Sequence, residues 1–170
     1  MKAYLKLLVA TTAASLATAP ALAQNTASAS STATLKIVAP LTITAGTVLA
    51  FGTVVKPATG SYTITVDTAG SHASSTANSY LPSSPATTAA SFSITGEPSQ
   101  AASITVGTAG VMTMNGPSAS TLSVTLTSSK TSTTLPSGAD SFTVGGSFTL
   151  TSAQTTGVYT GTLTAVVTYN

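Results

Sequence analysis

The sequence runs to 170 residues with five Lys or Arg, three Asp or Glu and a formal charge of +2, and it contains no Cys. The five cations are all lysines, scattered at positions 2, 6, 36, 56 and 130, so the clustered positive charge that nucleic-acid binding draws on is missing. Without Cys there is no thiol catalysis, no thiolate metal site and no disulfide, and a core has to form by burial alone.

Residues 1–23 read as an export signal. Lys2 and Lys6 give a positive start, residues 7–19 an uncharged and largely apolar middle, and Ala21-Leu22-Ala23 a small-x-small site that places cleavage before Gln24. The apolar stretch falls short of the roughly 20 strongly apolar residues of a spanning helix, so no membrane span remains once it is removed. Taking 23 residues from 170 leaves 147, enough for one well-cored domain. Two lysines leave with the signal, and Lys36, Lys56 and Lys130 then balance Asp67, Glu97 and Asp140, so the mature chain is formally neutral. The expected location is exported: periplasm, cell surface or medium.

Residues 24–31 are small and polar and read as a flexible arm, with a single β-sandwich domain over 32–170. Alternation begins with Ala33, Leu35, Ile37 and Ala39 on one face, until Pro40 interrupts the ladder. A second run, 41–44, ends at Ala45-Gly46, and 49–55 forms a short strand closed by the turn-like 56–60. Residues 62–66 alternate cleanly and stop at Asp67. The stretch 71–90, rich in Ser, Thr and Ala with Pro82 and Pro85, reads as a surface excursion.

Strands resume at 91–96, 102–106 and 111–114, and 121–127 is another clean alternator. Residues 141–151 carry Phe142, Val144, Phe148 and Leu150, with Gly145-Gly146 in the middle predicting a bulge or bend. From Tyr159 the odd positions are Tyr159, Gly161, Leu163, Ala165, Val167 and Tyr169, against mostly threonine at the even ones. That period of two predicts one long terminal strand with an apolar face, whose flank is open to another piece of backbone. About nine or ten short strands separated by Gly, Pro, Asn and Asp turns predict an all-β, two-sheet, immunoglobulin-like sandwich.

Little in this pattern carries chemistry. His72 lies in the polar loop, and a triad with Asp67 and one of many serines lacks a nucleophile set on a rigid turn and any marked oxyanion donors. Asp67, Glu97 and Asp140 stand in separate turn-like regions, whereas a calcium site wants clustered acids. The glycines show neither dinucleotide nor P-loop spacing. No enzyme, cofactor or metal is expected. Tyr159 and Tyr169 read as core; Tyr80, beside Pro82, is the tyrosine placed for recognition.

The strings Leu35-Lys36-Ile37-Val38-Ala39-Pro40-Leu41-Thr42-Ile43, Leu49-Ala50-Phe51-Gly52-Thr53-Val54 and Ala90-Ser91-Phe92-Ser93-Ile94-Thr95-Gly96, with the terminal run from Gly157, resemble the bacterial secreted family called domain of unknown function 4402 (DUF4402). The terminal run is also similar to that of chaperone-usher pilin subunits, with a penultimate Tyr169 and Gly157 fourteen positions from the end. That likeness implies a pilin-like sandwich lacking one strand, completed first by a periplasmic chaperone and then by the N-terminal arm of a neighbouring subunit. Gly157, Tyr159, Leu163, Ala165, Val167 and Tyr169 would form the assembly strand. Ala33, Leu35 and Ile37 would be the donor, or equally the first strand of their own sandwich. The function expected is a non-catalytic structural or cell-surface subunit working by β-strand complementation. The alternative is a self-contained secreted sandwich that binds a glycan or other ligand through the 71–90 loop.

Overall fold

The computed structural model describes residues 26–76, 85–108 and 110–170. The signal segment with Ala21, Ala23 and Gln24, and the loop residues 77–84 with Tyr80 and Pro82, lie outside the described residues. The chain divides into two units, Met1–Lys36 and Ile37–Asn170. The described part of the first unit contains no strand. The described residues of the second unit hold eleven: β1 (Thr42–Ala45), β2 (Ser61–Val66), β3 (His72–Ser74), β4 (Ala90–Thr95), β5 (Ala101–Val106), β6 (Val111–Asn115), β7 (Thr121–Ser128), β8 (Ser132–Thr134), β9 (Ala139–Thr151), β10 (Thr160–Gly161) and β11 (Ala165–Tyr169). The expected all-β class and two-sheet arrangement are present, with one strand more than the upper estimate.

The large sheet has the order β1-β4-β9-β7-β6-β10, with β2 also on β9 and β3 on β2. The small sheet is β11-β5-β8, and every pairing is antiparallel. The 13-residue β9 is the spine: its first half pairs with β4 and its second with β2. Alternation decides what is buried. Tyr62, Ile64 and Val66 of β2, Phe92 and Ile94 of β4, Ile104 and Val106 of β5, Leu122, Val124 and Leu126 of β7, and Phe142, Val144, Phe148 and Leu150 of β9 all point inward to one core. Phe92 and Phe142 are direct cross-strand partners and stack at 5.2 Å, while Phe51 meets Phe148 edge-on at 5.0 Å.

Several expectations need correction. Residues 33–39 form no strand, and Leu35 and Ile37 are 85% and 82% exposed. Alternation there has no ladder to act on, because the open edge of β4 is taken by Thr42–Ala45. Residues 49–55 form no strand either; a single bridge, Ala50 to Thr88, ties them down, and they cross the core as an irregular strap.

No bulge occurs at Gly145-Gly146, since β7 pairs through both in unbroken register. Their role is close approach: a Cβ on Gly145 would sit 2.3 Å from Val66 O, and one on Gly146 2.9 Å from Val124 Cγ1. The predicted loop around His72 contains β3, paired with β2 from Ile64 to Val66. The terminal run, expected as one strand, is two: β10 continues the large sheet on β6, and β11 joins the small sheet on β5. Gly161 allows β10 to approach β6 closely, since a Cβ there would lie 2.6 Å from Thr113 O.

Candidate functional site

β11 is an edge strand with one partner, β5, in the register Ala165 to Val106 through Tyr169 to Ala102. Gly107 N–H donates to Thr164 O at 2.7 Å and Asn170 N–H to Ala101 O at 3.1 Å. Those two bonds fix the phase of the ladder. The main-chain groups of residues 164, 166, 168 and 170 turn toward β5, and those of Ala165, Val167 and Tyr169 turn the other way. Among the described residues no strand lies on that other side.

The side chains of Leu163, Ala165, Val167 and Tyr169 pack on the core but are only half-buried, whereas their neighbours Ala102, Ile104 and Val106 on β5 are buried. Between them come exposed residues, with Val166 at 52%. The inward odd positions are thus as the period of two requires, and this flank combines free backbone with thinly covered apolar surface.

One end of the flank is clasped. The Tyr169 hydroxyl accepts from Glu97 N–H at 2.7 Å and donates to Ala39 O at 3.0 Å, and Ala39 N–H donates to Glu97 Oε2 at 3.0 Å. Gly96 makes the fit possible, because a Cβ there would stand 2.3 Å from the hydroxyl oxygen. Leu41 reaches the same glycine from the entry to β1, which is itself the edge of the large sheet.

Gly157 and Tyr159 do not share this strand. Gly157 has φ +144° and lies against Pro117, where a Cβ would come within 2.4 Å of Cγ. Tyr159 is half-buried, and its hydroxyl lies 2.8 Å from both Thr155 O and Ser120 Oγ while accepting from Gln154 Nε2 at 2.8 Å. A tyrosine hydroxyl bonded four residues back along the backbone is the local geometry of a tyrosine corner. The predicted assembly strand therefore separates into a corner, 157–159, and an edge, 163–169.

Asp67, His72, Lys130 and Asp140 are engaged structurally. Asp67 Oδ1 accepts from Ala69 N–H at 2.9 Å and Ser71 N–H at 2.8 Å, which closes its turn. His72 Nδ1 lies 3.2 Å from Thr87 Oγ1, whose own proton goes to Gly70 O, so Nδ1 is the donor of that contact. Lys130 Nζ grips both oxygens of Asp140 at 2.6 and 2.7 Å, with Thr133 on Oδ2. The Lys130 and Thr133 hydrogen bonds hold the Asp140 carboxyl below the usual carboxylate range, with partial burial opposing them. The clasp, the Gln154 corner and the Lys130–Asp140 pair were missed at the sequence level. The clasp joins Ala39 and Tyr169 across 130 positions; Gln154 and Tyr159 lie 5 positions apart and Lys130 and Asp140 10, but no sequence pattern marks either pair.

A cavity of about 580 Å³ lies under the 49–56 strap, floored by Leu122, Phe148 and Leu150. Among the described residues no group of three or more His, Cys, Asp or Glu could hold a metal ion, and no helix is long and apolar enough to cross a membrane.

No curated protein and no solved structure matches this chain. The family model that does match runs over residues 41–169, from the residue before β1 to the last residue of β11, and takes in all eleven strands. The chain therefore belongs to the family described as Domain of unknown function (DUF4402).

Proposed function

We propose that this protein is a non-catalytic, exported structural or cell-surface subunit, pilin-like in its logic, that assembles by β-strand addition at the free flank of β11. The observation that carries this reading is that flank: outward backbone groups of Ala165, Val167 and Tyr169 beside half-buried Leu163, Ala165 and Val167. An incoming extended segment gains ladder hydrogen bonds from the first and register from the second. The segment 33–39 has the needed character, since Leu35 and Ile37 alternate, are exposed and belong to no strand. A neighbouring copy would present it, and a periplasmic chaperone would cover the flank beforehand. The charged start, apolar middle and Ala21-Leu22-Ala23 site support export.

The test compares residues 24–170 with a form lacking 24–38, which keeps the Ala39 carbonyl used by Tyr169. Light scattering should find the longer form self-associating in a concentration-dependent way and the shorter form monomeric, and the shorter form should bind a peptide of residues 31–41. If both forms stay monomeric and the peptide does not bind, strand addition by this segment is wrong and the domain is self-contained.

A further inference from the structure

Away from the β11 flank, the described residues that line the cavity with the second half of β9 include none from the small sheet. Phe148 and Leu150, with Leu122 of β7 and Met114 of β6, look instead onto the strap carrying Phe51 and Val54. The strap fills this space poorly and leaves the cavity of about 580 Å³. Well-packed interiors keep few voids larger than a water molecule, whereas ligand sites span roughly 300–1,000 Å³ and join an apolar wall to a few polar groups.

The polar groups here are unequal. Gln154 and Tyr159 are committed to each other and to Ser120, Thr121 and Thr155. Lys56 is exposed, is the sole charged side chain on the lining, and has no carboxylate partner; the one ion pair among the described residues is Lys130 with Asp140. Among the described residues the main chain of the strap makes one bridge, Ala50–Thr88, with Phe51 as its core anchor, so a guest can enter without breaking a ladder.

We propose that this cavity binds a single-chain amphiphile with an anionic head, its alkyl chain among Phe51, Val54, Leu122, Phe148 and Leu150 and its carboxylate at Lys56. An acidic head suits the rim because no carboxylate lines it, and an aliphatic tail suits a floor made of Leu122, Phe148 and Leu150. The site uses different residues from the β11 flank and stands whether or not strands are exchanged there.

The test titrates residues 24–170 with laurate, dodecanol and dodecylamine below their aggregation limits. Affinity is read by calorimetry and location by the ¹³C-methyl NMR signal of Met114. Laurate should bind at one site with a saturable Met114 shift, about tenfold more tightly than dodecylamine, since an ion pair this exposed changes affinity only several-fold in either direction. Lys56→Glu, a surface change, should reverse the order of laurate and dodecylamine while leaving dodecanol unchanged. Absence of saturable laurate binding overturns the site; equal affinity for all three probes, or an order indifferent to Lys56→Glu, overturns the assigned ligand class.

Discussion

Tyr169→Phe isolates the clasp at the end of β11 because it removes one oxygen and leaves the ring's packing in place. The hydroxyl accepts from Glu97 N–H at 2.7 Å and donates to Ala39 O at 3.0 Å. Ala39 is exposed, so its carbonyl turns to water at little cost, and a single net hydrogen bond of about 0.5–1.5 kcal/mol is lost there at most. Glu97 N–H sits in a half-buried turn and is left without its acceptor, which costs about 1–3 kcal/mol when solvent is shut out and less when water can reach it. Together these predict a loss of about 1–2 kcal/mol. Urea unfolding should show a lower midpoint at unchanged slope. At about 4 °C per kcal/mol for a domain of this length, the melting temperature should fall by about 4–8 °C. Amide exchange at Asn170, whose N–H donates to Ala101 O at 3.1 Å, should accelerate more than at Val124 in β7. A variant within 0.3 kcal/mol of wild type, a small-effect threshold of about the size of non-additivity in such series, refutes the claim that this hydroxyl pins the strand.

Four other substitutions test the frame around the edge. Asp140→Asn should cost less than about 1 kcal/mol at neutral pH, because its partner Lys130 is 39% exposed and solvent screens the pair. The folded carboxyl titrates below its ordinary value of 3.8, so its stabilising effect is complete above that value and disappears as pH falls through the lower folded one. Urea midpoints of wild type and Asp140→Asn should therefore differ at neutral pH and converge in acid. Gly145→Ala should destabilise by about 1–3 kcal/mol or more and exceed Gly146→Ala, measured by the same unfolding, since the first Cβ meets backbone at 2.3 Å and the second the Val124 side chain at 2.9 Å. Leu135→Ala, at a fully buried position, should cost about 2–5 kcal/mol by thermal and urea unfolding.

Where three inward apolar residues alternate and a partner lies on each side, the sequence located strands to within a residue or two: 62–66 became β2, 91–96 became β4, 102–106 became β5 and 121–127 became β7. The same signal failed at 33–39, because a period of two says which face would be apolar and is silent on whether a ladder awaits it. The converse failure is β8, whose Ser132–Thr134 has no apolar pattern and forms because β5 offers an edge at 101–103. The split of the terminal run was invisible for a further reason. Tyr159 before β10 and Leu163, Ala165, Val167 and Tyr169 after it are half-buried and all odd, while Gly161 between them is exposed, so the switch of sheets at 162–164 leaves the alternation intact in the sequence. The half-buried face of β11 was therefore legible, while its clasp to Ala39 and Glu97 needed the fold.

Thin cover of the core occurs in two places, and they differ in kind. At β11 what is unmet is backbone: outward N–H and C=O groups of alternate residues with modest apolar relief beside them, a pattern that only another extended chain satisfies in full. Under the strap, the main chains of Leu122, Phe148 and Leu150 pair within the sheet with Met114 of β6 and with Ile64 and Tyr62 of β2, and what is unmet on the face they turn to the strap is apolar volume. A strand has little to gain there, since its main-chain groups would enter an apolar space without partners at a cost of several kcal/mol. An alkyl chain carries no such groups, and Lys56 at the rim accounts for the one charge it would bring. A backbone donor and an acyl ligand thus fit different halves of one core, and removing residues 24–38 should abolish association while leaving laurate binding intact.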